Sequence, residues 1–168
     1  MDLDKITASA SPSPNRWSDK VPSREMTKEE YMRMYELVGA AMEVYNELGF
    51  GMAEPLYQEA MAMELDERSI PYIREKELYT YYKGVRMQKT YVADFYSQKM
   101  IVEFKSVDKI TSEHRAQLFN YLRIAKLKYG ILVNYGEDHF HAERFIYDPN
   151  THRFELLTKE NLPLYVIN

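Results

Sequence analysis

YVADFYSQKMIVEFKS, residues 91–106, decides how the rest of the chain is read. Two apolar runs flank a polar Ser97-Gln98-Lys99 turn, which predicts an antiparallel hairpin. Side chains alternate across a strand with a period of two. On the second strand Met100, Val102 and Phe104 therefore cover one face, while Ile101, Glu103 and Lys105 share the other. A strand this apolar belongs in the middle of a sheet. Burying a carboxylate and an ammonium there is unfavourable unless each is paired, solvated in a cleft or bound to a metal. Asp94, on the first strand, brings a second acid to the same hairpin.

The neighbouring segments extend this hairpin into an α/β pattern. Residues 72–82 and 85–96 read as strands joined by a Lys83-Gly84 turn, giving a three-stranded meander with residues 100–106. Before it lie two helices. Thr27 with Glu29 and Glu30 offers an N-cap and first-turn acids, and Tyr31, Met34, Tyr35, Val38, Ala41, Met42, Tyr45 and Leu48 follow at helical spacing. Tyr31, Tyr35 and Tyr45 are expected to pack in the core. Gly49-Phe50-Gly51 ends this helix, and a second begins near Glu54-Pro55, where proline suits the first turn. Its buried stripe is Leu56, Tyr57, Ala60, Met61 and Leu65, and Pro55 is expected to hold Glu54 extended. After the meander, Thr111 or Ser112 with Glu113 caps a third helix that buries Leu118, Tyr121, Leu122 and Ala125 and ends at Gly130. GILVNYG, residues 130–136, is a short apolar strand paired with residues 140–147 across Gly136-Glu137-Asp138. Residues 154–168 add an edge strand or a short helix. The order ααβββαββ predicts a central mixed sheet flanked by helices.

A chain of 168 residues with 45% hydrophobic and 14% aromatic content can bury one substantial core but not two, so a single domain over residues 27–168 is expected. Residues 1–26 hold Pro12, Pro14 and Pro22 among five serines and read as a flexible tail. The absence of cysteine excludes disulfides, thiolate metal sites and cysteine nucleophiles, and suits a cytoplasmic location. The acidic start is neither a signal peptide nor an anchor, and no run approaches the roughly 20 apolar residues of a membrane span. A net charge of −4 argues against nonspecific coating of nucleic acid. Local cationic groups remain: Lys83, Arg86 and Lys89 around one turn, and Arg123, Lys126 and Lys128 at a helix end, both read first as solvated surface. Six glycines without a phosphate-binding loop suggest no organic cofactor.

GMAEPLY, residues 51–57, resembles the G-x-x-E-x-x-Y signature of the small bacterial GxxExxY proteins. The resemblance continues in order through YKG (82–84), Ala93-Asp94, VEFK (102–105), HRAQLFNYL (114–122) and GILVNYG (130–136), covering residues 30–147. That family is grouped in the PD-(D/E)XK nuclease-like superfamily, so the resemblance implies a restriction-endonuclease-like core. Asp94 then matches the superfamily acid, Glu103-Phe104-Lys105 its E-x-K, and Glu54 the acid on the preceding helix. Gln117 and Tyr121 resemble the Q-x-x-x-Y helix motif of recombination-type exonucleases. Ala93 stands where the superfamily name has proline.

The resemblance implies a nuclease that hydrolyses phosphodiester bonds of DNA or RNA with Mg2+ or Mn2+. Asp94, Glu103 and the main-chain carbonyl of Phe104 would hold the ion, and Glu54 one of its waters. Lys105 would orient the attacking water and offset phosphate charge. Gln117 and Tyr121, one turn apart, would position Lys105, a metal water or substrate. The alternatives are a catalytically inactive fold that binds nucleic acid or a protein partner, and a vestigial site closed by ion pairs. Taken alone, E-x-K on a strand is most often a cross-strand ion pair. His114 reads equally as a capping or surface residue. Tyr79, Tyr81 and Tyr82 offer a stacking surface for bases. His139 and His141 alternate on one strand and could bind a transition metal together, but with no third ligand evident nearby a surface pair is expected.

Overall fold

The computed structural model describes residues 25–167. The elements are β1 (Met26–Thr27), α1 (Lys28–Leu48), α2 (Glu54–Glu67), β2 (Ile73–Tyr82), β3 (Val85–Ser97), β4 (Met100–Lys105), α3 (Ser112–Ala125), β5 (Tyr129–Asn134), β6 (His141–Asp148), β7 (Arg153–Leu156) and β8 (Val166–Ile167). Strands β2 to β7 form one six-stranded sheet in sequence order. Only β4 and β5 run parallel within it, because α3 carries the chain back between them; the other neighbours are antiparallel. The sheet is mixed and flanked by helices, as the hydrophobic pattern predicts. The edge strand expected in the C-terminal segment is β7, and the structure adds a small parallel pairing of β1 with β8. The tail expected over residues 1–26 lies, up to residue 24, outside the described residues; Met26 is completely buried and pairs with Val166.

Both caps are made as the sequence indicates. Thr27 and Glu30 form a reciprocal capping box on α1. On α3 Thr111 is the N-cap, and His114 closes the box by accepting from the Thr111 N–H through Nδ1. His114 is thus a capping residue. On α2 the extended N-cap is Ala53 and Glu54 is the first helical residue, so Pro55 occupies the first turn without holding Glu54 extended.

The sheet separates two apolar clusters. Helices α1 and α2 bury Met34, Leu37, Val44, Tyr57 and Met61 against Val102, Phe104, Ile131 and Val133. Helix α3 buries Leu118, Tyr121 and Leu122 against Ile101, Leu132 and Phe145. The central strand β4 is covered on both sides, and the period-two split between Val102/Phe104 and Ile101/Glu103 is observed. The apolar stripes are narrower than their composition. Tyr35 is 59% exposed, correcting its assignment to the core, and Met42 and Leu56 are exposed as well. Tyr45 does pack, against Tyr135 and Phe140.

Both hairpin turns of the meander use left-handed backbone, Lys83 and Gly84 in one and Gln98 and Lys99 in the other. Two consecutive residues with positive φ give the twist that joins antiparallel strands tightly. Gly136 is required for a different reason: a Cβ there would lie 2.1 Å from the carbonyl oxygen of Val107.

Candidate functional site

Strands β3 and β4 stay paired from Ser97–Met100 to Phe95–Val102 and then part. The next opposed pair in that register is Asp94 and Glu103. Instead of a main-chain ladder, the two acids tie the strands through their side chains. The Asp94 N–H donates to Glu103 Oε1 at 2.8 Å, and the Phe104 N–H donates to Asp94 Oδ2 at 2.8 Å. Directly opposed residues share a face, so both carboxyl groups lie on the α3 side with Lys105. Lys105 Nζ donates to Gln117 Oε1 at 2.9 Å, and Gln117 Nε2 donates to Tyr121 Oη at 3.2 Å. A hydrogen-bonded path therefore runs from Lys105, on the acids' face, to helix α3.

Glu54 arrives from the opposite direction, at the N-terminus of α2. Its placement depends on the turn before it. Tyr57 Oη donates to the carbonyl of Gly49 at 2.9 Å and accepts from the Met52 N–H at 3.1 Å. The Tyr57 ring stacks on Tyr135 at 4.2 Å, and the Gly51 N–H donates to the Tyr135 carbonyl. Gly51, Glu54 and Tyr57 thus work together: the glycine takes φ 89°, the tyrosine locks the turn, and the glutamate starts the helix. Gln58 Nε2 donates to Glu54 Oε1 at 3.3 Å.

The electrostatics are those of acids crowded around one cation. Burial raises the Glu54 carboxyl above its ordinary range, and the charge of Asp94 adds to this against the opposing pull of Lys105. Asp94 is raised mainly by burial, despite the Phe104 N–H and Lys105. Glu103, 4% exposed, is pushed well up by burial and by Asp94. Two carboxylates this close cannot both ionise cheaply, and a proton or a cation between them relieves the repulsion. The set offers oxygen donors, which suits a hard divalent ion. Among the described residues no ion pair within 4.0 Å joins Lys105 to Glu54, Asp94 or Glu103.

The structure therefore brings together Glu54, Asp94, Glu103, Lys105, Gln117 and Tyr121. A family model described as the PD-(D/E)XK nuclease superfamily matches residues 31–145, which include all six. The chain belongs to the PD-(D/E)XK nuclease superfamily. PD-(D/E)XK nucleases use divalent metals, and nucleic acid is the substrate class the superfamily implies. No curated protein matches the chain. Among solved structures, the crystal structure of SSO0001 is similar at 17% identity and a TM-score of 0.40, over 80% of this chain and 74% of the other.

Beside this cluster a cleft of about 720 Å³ opens between the β2–β3 hairpin and α3, lined by Lys89, Tyr91, Gln117, Tyr121 and Arg123 among others. Gln117 and Tyr121 belong to both the polar path and the cleft wall. On the hairpin the Arg86 guanidinium covers the Tyr79 ring at 3.7 Å, and Lys89 lies over Tyr91 at 5.4 Å. The basic residues near this turn thus interleave with aromatic rings.

One acid at the site escapes sequence reasoning. Glu75 lies opposite Asp94 in the β2–β3 register, takes a left-handed φ of 54°, and its charge adds to the upward shift of Asp94. Nothing in the alternation of β2 marks it. The His139/His141 reading is corrected in two respects: His139 lies in the turn before β6 rather than on the strand, and Glu137 offers a third ligand candidate beside both rings. No described helix is long and apolar enough to cross a membrane.

Proposed function

We propose that this chain is a divalent-metal-dependent nuclease that hydrolyses phosphodiester bonds, with its centre at Asp94 and Glu103. The observation that carries the proposal is the parting of β3 and β4 at these two residues, which leaves a pair of opposed carboxyl groups beside Lys105. Asp94, Glu103 and the carbonyl of Phe104 are the proposed ligands. The Phe104 N–H faces Asp94, and in a strand the carbonyl of a residue leaves on the same side as its N–H, which directs it toward the parted strands. Bound Mg2+ or Mn2+ would lower the pKa of a coordinated water and neutralise charge developing on the phosphate.

The chain's own residues supply the rest. Lys105 is held by Gln117 rather than by an acid, so its ammonium remains available to orient an attacking water and to meet phosphate oxygens. Gln117 and Tyr121 fix that ammonium from α3. Glu54 is proposed to hold a metal-bound water. The vestigial alternative requires the charged groups to close on one another in ion pairs, which the geometry of Lys105 does not support. The Gly51–Glu54–Tyr57 unit supports the finer assignment to the GxxExxY proteins, because each signature residue has a separate task in placing Glu54. The interleaved hairpin and the cleft beside α3 are the proposed path for the nucleic-acid strand.

The test is a cleavage panel on single- and double-stranded DNA and RNA with Mg2+ or Mn2+, run beside Lys105→Ala and a chelator. Cleavage removed by both supports the proposal and identifies the substrate. Strand binding without cleavage, unaffected by Lys105→Ala, would move the assignment to an inactive binding fold.

A further inference from the structure

We propose that the β5–β6 turn carries a second metal site, separate from the nuclease centre, in which Glu137, His139 and His141 bind a transition ion of the zinc class. One ligand atom from each of the three lies within 4.8 Å of the others. Donors around a tetrahedral zinc, each about 2.0–2.1 Å from the ion, stand roughly 3.3 Å apart, so modest side-chain movement would complete the site.

The stronger argument is how the three are held. Each imidazole turns one nitrogen toward Glu137 and keeps the other on a second carboxylate. His141 Nδ1 lies 2.6 Å from Glu137 Oε2, while its Nε2 lies 2.9 Å from Glu143 Oε2. His139 Nε2 lies 3.5 Å from Glu137 Oε1, while its Nδ1 lies 3.1 Å from Asp138 Oδ1. This is the carboxylate–histidine–metal arrangement, in which the outer carboxylate holds one ring N–H and leaves the other nitrogen as a lone-pair donor. For His141 the outer carboxylate is firmly placed, since Glu143 is buried and gripped by two nitrogens of Arg115 at 2.6 and 2.9 Å. With the proton of His141 on Nε2, a lone pair faces a carboxylate oxygen at 2.6 Å. A cation between them converts that repulsion into coordination.

Glu137 is equally constrained. Asn134, fully buried, donates through Nδ2 to Glu137 Oε2 at 2.7 Å and to the Val107 carbonyl at 2.8 Å. Tyr45 Oη donates to the Glu137 main-chain carbonyl at 2.9 Å. A turn anchored from α1 and from the β4–α3 connection is preorganised in a way that a chance surface cluster is not. His139 is exposed, so the ion would keep an open position toward solvent. Lys105, Asn134 and His141 are in register across three strands, which places Lys105 and His141 on the same sheet face about 10 Å apart, with Asp94 and Glu103 further away. Their donors differ: imidazole selects zinc-class ions, whereas the oxygen set at Asp94 and Glu103 suits magnesium.

Calorimetric titration with Zn2+ in excess Mg2+ tests the proposal, with Co2+ absorption as a second readout. One tight equivalent per chain is expected, with a Co2+ spectrum of tetrahedral type. Asp94→Asn should leave it intact. His139→Ala, at an exposed position, and His141→Ala should each weaken it by more than the roughly 10–100-fold typical of losing an outer partner. Absence of Zn2+ binding would overturn the site, as would binding unchanged in both histidine variants. Binding lost in Asp94→Asn would overturn it by locating the ion at the nuclease centre.

Discussion

Glu103→Gln should make the protein more stable while removing its response to magnesium. Glu103 is 4% exposed and its direct neighbour across the parted strands is Asp94. Two unit charges about 4 Å apart repel by about 4 kcal/mol at an effective dielectric constant of about 20. Sharing a proton relieves part of this, and glutamine relieves the remainder, because its amide oxygen still accepts from the Asp94 N–H and its NH2 group can donate to Asp94. A gain of about 1–2 kcal/mol at neutral pH without metal follows, or a rise in Tm of about 2–8 °C for a chain of this size. The pH dependence has a fixed sign. The folded carboxyl of Glu103 titrates above its ordinary 4.5, so the folded state binds the extra proton and the wild type loses stability as pH rises from that value through the folded pKa. The advantage of the variant should accordingly be absent in acid and open as pH rises. Magnesium should then reverse the ranking: at a hundred times its dissociation constant, ligand binding adds about 2.7 kcal/mol to the wild type and none to the variant. Scanning calorimetry across pH, with and without Mg2+, measures all three quantities. A destabilised Glu103→Gln, or one whose Tm still climbs with Mg2+, would refute the assignment of this carboxylate to a metal centre.

Other expected outcomes address the polar path and the scaffold. Lys105→Ala should lower metal-dependent cleavage by at least about 100-fold with the fold retained, judged by single-turnover assay beside a thermal melt. Gln117→Ala frees the Lys105 ammonium without removing it, so cleavage should fall by up to about 100-fold and Gln117→Glu, which keeps an acceptor, should recover part of it. Tyr57→Phe deletes the hydroxyl that joins Gly49 to Met52 and should cost about 1–3 kcal/mol in chemical denaturation, with cleavage reduced because Glu54 starts at that turn. Gly136→Ala forces a Cβ against the main chain at Val107 and should destabilise by at least the upper end of about 1–3 kcal/mol; an unchanged melt would show that the turn shifts freely.

The fold was legible where local chemistry and periodicity point the same way. Threonine caps at residues 27 and 111, the Lys83-Gly84 turn and the doubly buried β4 are all decided within a few residues. Helical stripes were legible in phase but not in width. Tyr35 and Met42 share the spacing of the core residues yet stand in solvent, because long side chains with polar or flexible ends tolerate either place. Glu75 was hidden for another reason: a left-handed residue inside a strand breaks the alternation on which strand reading rests, and no glycine marks it. Glu137 stands only two and four residues before its histidines; what the sequence did not show is that the turn brings all three together, because its shape depends on Asn134 and on Tyr45, 92 residues away.

The two acids show how much hangs on a single loop residue. A polar turn of Ser97, Gln98 and Lys99 is evident in the sequence, but its length as a loop is not. In the structure Ser97 pairs with Met100, so the loop is the two residues Gln98 and Lys99, both left-handed. That register opposes Asp94 to Glu103 and sets both on the face of Lys105. Were Ser97 part of a three-residue loop, Tyr96 would pair with Met100 and Asp94 with Val102, and the acid would point into the apolar cluster under α1 and α2. A buried carboxylate among Val102, Phe104 and Tyr57 would have no partner, so that register is excluded by the same burial penalty that raises the two acids in the observed site. The position of the turn and the chemistry of the centre are therefore one constraint, expressed once in backbone geometry and once in charge.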